Sequence, residues 1–191
     1  MRALAEIVAR DLVWVERGRP AGPRAWELGT EHELRLGADV FARLRFQDRF
    51  PSEAEMHGHR WSFERVQQAR EKPSVYYIVR DEEGSDVALF WHSSGLTVQF
   101  QDGNQLRFGR WRRRGEHQLL WIWDDWTQEF AWFWEPEPPL WSRRKDWDLA
   151  FEIPPTAVGF DQLPLLVVLG WYRILRQWEA ARDRGPAWSE G

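Results

Sequence analysis

The chain has 191 residues, a length that fits a single domain spanning 1–191. It contains 15 Trp and 11 Phe but no Cys, and the lack of Cys excludes disulfides, thiolate nucleophiles and cysteine-ligated metal sites. The 30 acidic residues outnumber the 26 basic ones, and the resulting net charge of -4 disfavours a general nucleic-acid binder.

Hydropathy and the first residues bear on membrane association. The mean hydropathy is -0.63 and 29% of the residues are charged, which argues against an integral membrane protein. Glu6, Arg10 and Asp11 interrupt any apolar signal core near the N-terminus, so we expect a cytoplasmic protein without a transmembrane segment. Asn, Cys and Met are scarce, a composition that is typical of thermostable proteins.

The first predicted elements are a short helix and a strand. Leu4, Ile7 and Val8 recur at spacings of three and four, which predicts an N-terminal helix over 2–11. A strand is expected from Leu12 onward, and the Gly and Pro residues of 18–23 then predict a loop.

Between 26 and 153 the apolar residues alternate with polar ones, which is typical of strands with one buried face. Alternating runs flank an acidic turn at 81–84 and the pair Asp102-Gly103, and Asp-Gly between such runs is a strong hairpin signal. No helical period interrupts these segments. We therefore predict an antiparallel β-barrel over 12–153.

The period changes near the C-terminus. Asp161 is a suitable N-cap, and Pro164 falls in the first helical turn, where its missing N–H costs little. The predicted helix covers 161–184, and its segment 162–175 is apolar on every side, which requires burial on every side. At 1.5 Å per residue this segment spans about 20 Å, too short to cross a bilayer.

This order of strands followed by an apolar helix resembles the tubby C-terminal-like superfamily, which includes tubby-like, LURP-one-related and phospholipid scramblase-like proteins. The hairpins at 81–84, at Asp102-Gly103 and from Trp121 to Trp134 carry the resemblance, together with 162–175. The resemblance implies a mainly β fold, an antiparallel closed barrel of about 12 strands that encloses the C-terminal helix. The cysteine-rich palmitoylation segment of the scramblases has no counterpart here, and no residue of the tubby phosphoinositide pocket is assigned to this chain.

Two segments combine Trp with basic residues. Guanidinium groups pair with phosphate and Trp settles at membrane interfaces, so these segments are candidate sites for anionic lipid or phosphorylated head groups. Solvated loops on an Arg-rich protein are the alternative interpretation. The candidate residues are Trp111, Arg112, Arg113 and Arg114 in a predicted hairpin turn, and Trp141, Arg143, Arg144 and Lys145 before the last predicted strand.

A metal site is a further alternative. His57, His59 and Glu64 match part of a cupin motif, in which two imidazoles and a carboxylate point into a barrel. The glycine expected six positions before the first His is Pro51, and no second half-motif follows. A solvated loop is the competing interpretation of these residues.

Other candidate features have ordinary structural explanations. Asp124 and Asp125 open a predicted turn, where Asp is favoured for backbone reasons. The aromatic ladder of Trp121, Trp123 and the Trp residues at 132 and 134 is either a stacking platform or a set of cross-strand pairs. No Gly-rich phosphate loop and no Ser/His/Asp set is evident, so we expect no cofactor and no catalysis.

The sequence thus predicts a non-catalytic β-barrel module that binds an anionic lipid surface or a protein partner through its Arg/Trp loops, and no nucleic acid. A barrel that carries a small hydrophobic ligand and a cupin-like metalloenzyme are the alternatives. The position of the helix 162–178 separates them, because a helix inside the barrel removes the cavity that a carrier needs.

Overall fold

Thirteen strands in one sheet and a C-terminal helix form the described part of the chain. The computed structural model describes residues 12–18, 29–47, 51–67, 75–92, 95–113, 116–123, 128–134, 146–148 and 151–183. The predicted helix 2–11 lies outside them. The strands are β1 Leu12–Gly18, β2 Thr30–Leu36, β3 Asp39–Phe46, β4 Ser52–Met56, β5 His59–Gln67, β6 Val75–Arg80, β7 Asp86–His92, β8 Leu96–Phe100, β9 Gln105–Arg113, β10 Glu116–Trp123, β11 Glu129–Trp134, β12 Asp146–Asp148 and β13 Phe151–Glu152.

The sheet is an antiparallel meander. From β1 to β11 every strand pairs with its neighbour in sequence, while β12 pairs with β1 and β13 pairs with β11. The last two strands therefore lie at opposite edges of the sheet although only residues 149–150 separate them in the chain. The predictions of a mainly β, antiparallel fold and of a C-terminal helix are confirmed.

The two hairpin turns expected from Asp and Gly are present. Asp81 Oδ1 accepts hydrogen bonds from the backbone N–H of Ser85 at 2.8 Å and of Glu83 at 3.0 Å. Gly84 follows with a φ of 81°, and Gly103 has a φ of 86°, a left-handed conformation that glycine adopts without a steric penalty. These local bonds fix the turns, so the strands on either side pair in a single register.

The helix α1, Leu163–Asp183, is covered by the inner face of the sheet. A 3-10 turn, Pro155–Ala157, precedes it. Most side chains of α1 up to Leu175 are no more than 3% exposed, and half-buried Pro164 and Arg173 are the exceptions. This burial on every side is what the sequence of α1 requires, because the helix is apolar on every side.

Ring contacts show that the sheet curves around α1. Trp171 lies with its ring centroid 6.0 Å from Trp14 in β1 and 5.0 Å from Phe133 in β11, strands that are far apart in the sheet order. On the next residue, Tyr172 contacts Phe46 in β3 and Phe90 in β7 at 5.4 and 5.7 Å. Strands from both halves of the sheet thus meet on one helical turn.

Candidate functional site

The segments that connect consecutive strands lie alternately at the two ends of the sheet. At one end, here called the turn end, the strands are joined by residues 37–38, 57–58, 81–85, 101–104 and 124–128. At the other, the loop end, the connecting segments are 19–29, 47–51, 68–74, 93–95, 114–115 and 135–145. The helix α1 enters at the turn end, where Phe160 contacts Phe100 and Phe130, and runs toward the loop end, where Arg176 lies 5.5 Å from the ring of Phe46.

Acidic residues concentrate at the turn end. Several of them accept backbone hydrogen bonds within their own turns, as Asp102 Oδ1 does from Asn104 N–H at 2.9 Å. Arg80 at this end donates to Glu64 and to Asp86, and the Glu64 hydrogen bond is the main cause that raises its pKa. The acidic residues placed here are Asp39, Asp81, Glu82, Glu83, Asp86, Asp102 and Asp161.

Basic residues meet at the loop end. Arg65 on β5 and Arg110 on β9 are exposed. Each lies two positions after a core residue of its strand, so it is on the same face of the sheet as the core. Arg173 and Arg176 lie on α1, and both are half-buried. The exit of the helix is thus flanked by guanidinium groups that sequence reasoning missed. The sequence signal for them was an arginine at the end of a strand, in a position where the alternation predicts a core residue.

His92, the last residue of β7, lies at the same end. The residue as a whole is exposed, but its ring contacts those of Tyr77 and Phe90 at 6.0 and 6.3 Å. This partial burial and the charge of Arg173 lower the pKa of His92 to about 4. His92 is therefore neutral at pH 7, and the positive charge of this end comes from arginine.

Tyr172 provides the polar group inside the loop end. Burial and the neighbouring Tyr77 are the main causes that raise the pKa of Tyr172 to about 12. Its hydroxyl also interacts with Ser52, whose Oγ accepts a hydrogen bond from the Gln47 N–H at 3.4 Å. The interior of the loop end is thus polar, in contrast to the phenylalanine cluster at the turn end.

The two Arg/Trp segments are joined to strands at the loop end. Trp111, Arg112 and Arg113 are the last residues of β9, where Arg112 pairs with His117, and their side chains are not described. Arg114 lies outside the described residues. So do Trp141, Arg143, Arg144 and Lys145, which precede β12 in the chain.

The three residues of the cupin-like motif are not brought together. His57 lies in the turn before β5 with a φ of 54°, and His59 stacks on Trp61 at 5.6 Å. Glu64 is an odd number of positions from His59 on the same strand, so it faces the opposite side and binds Arg80 instead. Nowhere in the described ranges do three or more His, Asp or Glu side chains come close enough to share a metal ion.

The predicted aromatic ladder is divided between the two faces of the sheet. Trp121 pairs with Ala131 and is fully buried in the core, whereas Trp132 pairs with Leu120 on the outer face. The register shifts between Trp121 and Ile122, so the tryptophans of the two strands are out of phase. A single stacking platform does not form. Asp124 and Asp125 lie outside the described residues.

An ionic network that the sequence analysis did not identify covers the outer face of β1–β5. Glu33 is central: its side chain is 6% exposed, with oxygens 2.6 Å from Arg17, 2.6 Å from Arg35 and 3.4 Å from Arg43. A neighbouring shallow cavity of about 400 Å³ is lined mainly by charged residues of alternating sign. Because these groups pair with each other, their charges are largely compensated on this face of the sheet. The residues lining the cavity are Glu31, Glu33, Arg43, Arg45, Glu53, Ala54, Glu55 and Arg60.

Comparison with family models, curated proteins and solved structures finds no match to this chain. No helix in the described part of the chain is both long and apolar enough to cross a membrane.

Proposed function

We propose that the chain is a non-catalytic β-barrel module that binds an anionic lipid surface through its loop end. The strand pairing at the two edges of the sheet is the evidence that supports a barrel. β12 pairs with one edge and β13 with the other, and residues 149–150 join them. A single strand over 146–152 that pairs first with β1 and then with β11 would close the sheet around α1.

A closed barrel filled by its own C-terminal helix is the architecture of the tubby-like superfamily. The burial of Leu165, Leu169 and Trp171, each 0% exposed, supports this proposal. The same burial disfavours the carrier of a hydrophobic ligand, because the side chains of α1 occupy the space that a ligand would take.

The separation of charge between the two ends is the observation that carries the lipid proposal. Both Arg/Trp segments adjoin the loop end, where Arg65 and Arg110 are exposed and Glu31 and Glu53 pair with Arg45. Acidic residues outnumber basic ones among the described residues of the turn end. An anionic surface attracts one end and repels the other, so the molecule is oriented as it approaches. Each basic residue near such a surface contributes about 1 kcal/mol.

Vesicle co-sedimentation tests the proposal. The protein is expected to sediment with phosphatidylcholine vesicles that contain phosphatidylserine, to stay in solution with phosphatidylcholine alone, and to be released by salt. The variants R112Q/R113Q and R143Q/R144Q each remove two charges from the loop end, and we expect a loss of affinity of about tenfold or more.

The control variant R60Q/R107Q removes the same charge from exposed positions on the outer face of the sheet, and we expect it to bind nearly as the unchanged protein does. Equal sedimentation with neutral and anionic vesicles would contradict lipid binding. If the control variant lost as much vesicle binding as the loop-end variants, the binding would depend on the total charge and not on a site at the loop end. Loop-end variants that lose binding to a protein, with unchanged vesicle binding, would favour a protein partner.

A further inference from the structure

Three outer-face residues at the loop end form an ion-paired row. Glu31 on β2, Arg45 on β3 and Glu53 on β4 are cross-strand neighbours, and each lies one position from the loop-end terminus of its strand. Arg45 contacts both carboxylates, at 3.0 Å from Glu31 and at 3.3 Å from Glu53. We call these three residues the ionic row, and they give the β2–β4 side of the loop end a charged but largely compensated surface.

The next three strands carry apolar side chains at the equivalent positions. Val66 on β5 pairs with Tyr76 on β6, and Tyr76 pairs with Trp91 on β7. Each is again one position from the loop-end terminus of its strand, and each is half-buried. Alternation places these residues on the outer face, because Phe90, the neighbour of Trp91, lies in the core. We call them the apolar row.

We propose that the apolar row enters the interfacial region of an anionic membrane, so that the β5–β7 side of the loop end lies deepest in the bilayer. This inference rests on the lipid binding proposed above and names the side of the loop end that contacts the lipid. Trp and Tyr concentrate at the membrane–water interface, because each ring is apolar and carries one polar group. The ionic row has no such preference, because its charges would lose water there.

Position and charge support this contact. At about 3.3 Å per residue, the apolar row lies about 3 Å from the strand ends, whereas an interfacial apolar surface is buried by about 5–10 Å. The next outer-face pair, Ile78 and Leu89, lies about 7 Å farther from the loop end. Arg65 directly precedes Val66 and is exposed. Positive charge and apolar surface are therefore continuous on the β5–β7 side, and an anionic membrane binds both.

Vesicle binding of matched variants tests the inference. Y76T/W91T removes both rings of the apolar row, and Thr keeps the preference for a strand. I78T/L89T is the control, because it removes an apolar pair from the same face of the same two strands, farther from the loop end. We expect Y76T/W91T to bind phosphatidylserine-containing vesicles about tenfold more weakly, since the apolar area of the rings no longer leaves water. I78T/L89T should bind nearly as the unchanged protein does.

The salt dependence separates the apolar row from the Arg/Trp segments. Ions do not screen apolar burial, so the factor lost by Y76T/W91T should be the same at two salt concentrations at which the unchanged protein still binds. The factor lost by R112Q/R113Q should decrease with salt. No loss in Y76T/W91T, or an equal loss in I78T/L89T, would overturn the inference and leave lipid binding intact. An unchanged protein that stays in solution with anionic vesicles would overturn both proposals.

A second measurement keeps both rings in place. The chain has no Cys, so V66C carries a dye to the apolar row and E53C carries it to the ionic row. We expect lipids that bear a nitroxide near the head group to quench the dye at position 66 and to leave the dye at position 53 bright. Equal quenching at both positions would contradict the inference. If Y76T/W91T bound vesicles normally but lost binding to a protein, the apolar row would be a protein contact and the inference would be wrong.

Discussion

The turn end and the loop end of the sheet are built from different chemistry although the same strands run between them. At the turn end Phe160 contacts Phe130 at 4.7 Å and Trp123 at 6.1 Å, and short acidic turns join the strands. At the loop end Tyr172 and His92 lie beside arginine residues, and longer segments connect the strands. We infer that the turn end mainly stabilises the fold and that the loop end carries the arginine residues on which the proposed lipid binding depends.

This difference also divides the helix. The first half of α1 is inserted among phenylalanine rings, so its stability depends on packing and is insensitive to pH. The second half brings Tyr172, Arg173 and Arg176 to the loop end, where stability depends on protonation. Substitutions at the turn end should therefore lower the stability at every pH, whereas substitutions at the loop end should change how the stability depends on pH.

The largest effect is expected at the turn end. Phe130 is 1% exposed and lies between Trp123 and Phe160. Phe130→Ala leaves a cavity and should lower the free energy of unfolding by about 3–5 kcal/mol. The matched loop-end variant Arg65→Gln, at an exposed position, should change it by no more than about 0.5 kcal/mol. Urea denaturation followed by tryptophan fluorescence measures both, and equal effects would remove the distinction between the ends.

A smaller loss is expected in the middle of α1. A Cβ added at Gly170 would lie 2.5 Å from the ring of Phe133, a separation that forces the ring or the helix to move. Gly170→Ala should therefore cost about 1–3 kcal/mol, although alanine is the better helix former. Thermal unfolding of the variant measures the loss. A stabilised variant would show that α1 does not approach β11 so closely.

At the loop end the effect depends on pH. His92 titrates near 6.5 when unfolded and near 4 when folded, so the unfolded chain binds the extra proton between these values. Stability should thus decrease as the pH falls from 6.5 to 4. His92→Gln should reduce that decrease, as measured by urea midpoints at pH 7 and pH 4.5, and should leave the midpoint at pH 7 nearly unchanged. An identical pH profile in the variant would contradict the lowered pKa of His92, which burial and then Arg173 cause.

For Tyr172 we expect a loss of stability as the pH rises, rather than as it falls. Its pKa is raised from 10.0 to about 12, so the unfolded state loses its proton first and stability falls as the pH rises above 10. Tyr172→Phe removes the ionisable hydroxyl, and its urea midpoint should change less between pH 9 and pH 11 than that of the unchanged protein. A steeper loss in the variant would be inconsistent with a buried neutral phenol.

The smallest effect is expected in a turn-end hairpin. His57 and Gly58 both have positive φ, 54° and 82°, in the two-residue turn between β4 and β5. Asn is favoured over His in this conformation, so His57→Asn should stabilise the protein by about 0.5 kcal/mol. Differential scanning calorimetry measures the shift. Destabilisation would instead indicate a functional or packing role for the imidazole, whose Nε2 is buried without a hydrogen-bond partner.

Much of the fold follows from local sequence signals. The turn at Asp81–Gly84 and the pair Asp102-Gly103 lie where alternation predicts hairpins, and the helix follows the last strand as its change of period predicts. Strands β2 and β4 gave no such signal. Their inward residues include Thr30, His32 and Ser52, so hydrophobic alternation is weak and long-range pairing determines the strands.

The candidate sites depended on facts that no local pattern contains. Trp121 and Trp132 are divided between two faces by a register shift, and Glu33 is buried by arginines that approach from strands on either side. The grouping of the Arg/Trp segments at one end follows from the strand order. Leu120 and Ile122 are buried on the outer face, which strand alternation alone does not predict.

We propose that the loop end faces an anionic surface while the turn end faces away from it. The chain has no Cys, so single cysteines carry an environment-sensitive dye to either end: Gln67→Cys at the end of β5 and Ser85→Cys in the turn before β7, both at exposed positions. On phosphatidylserine-containing vesicles, we expect a blue shift of the dye at position 67 and none at position 85. A shift at position 85, or equal shifts at both positions, would contradict it.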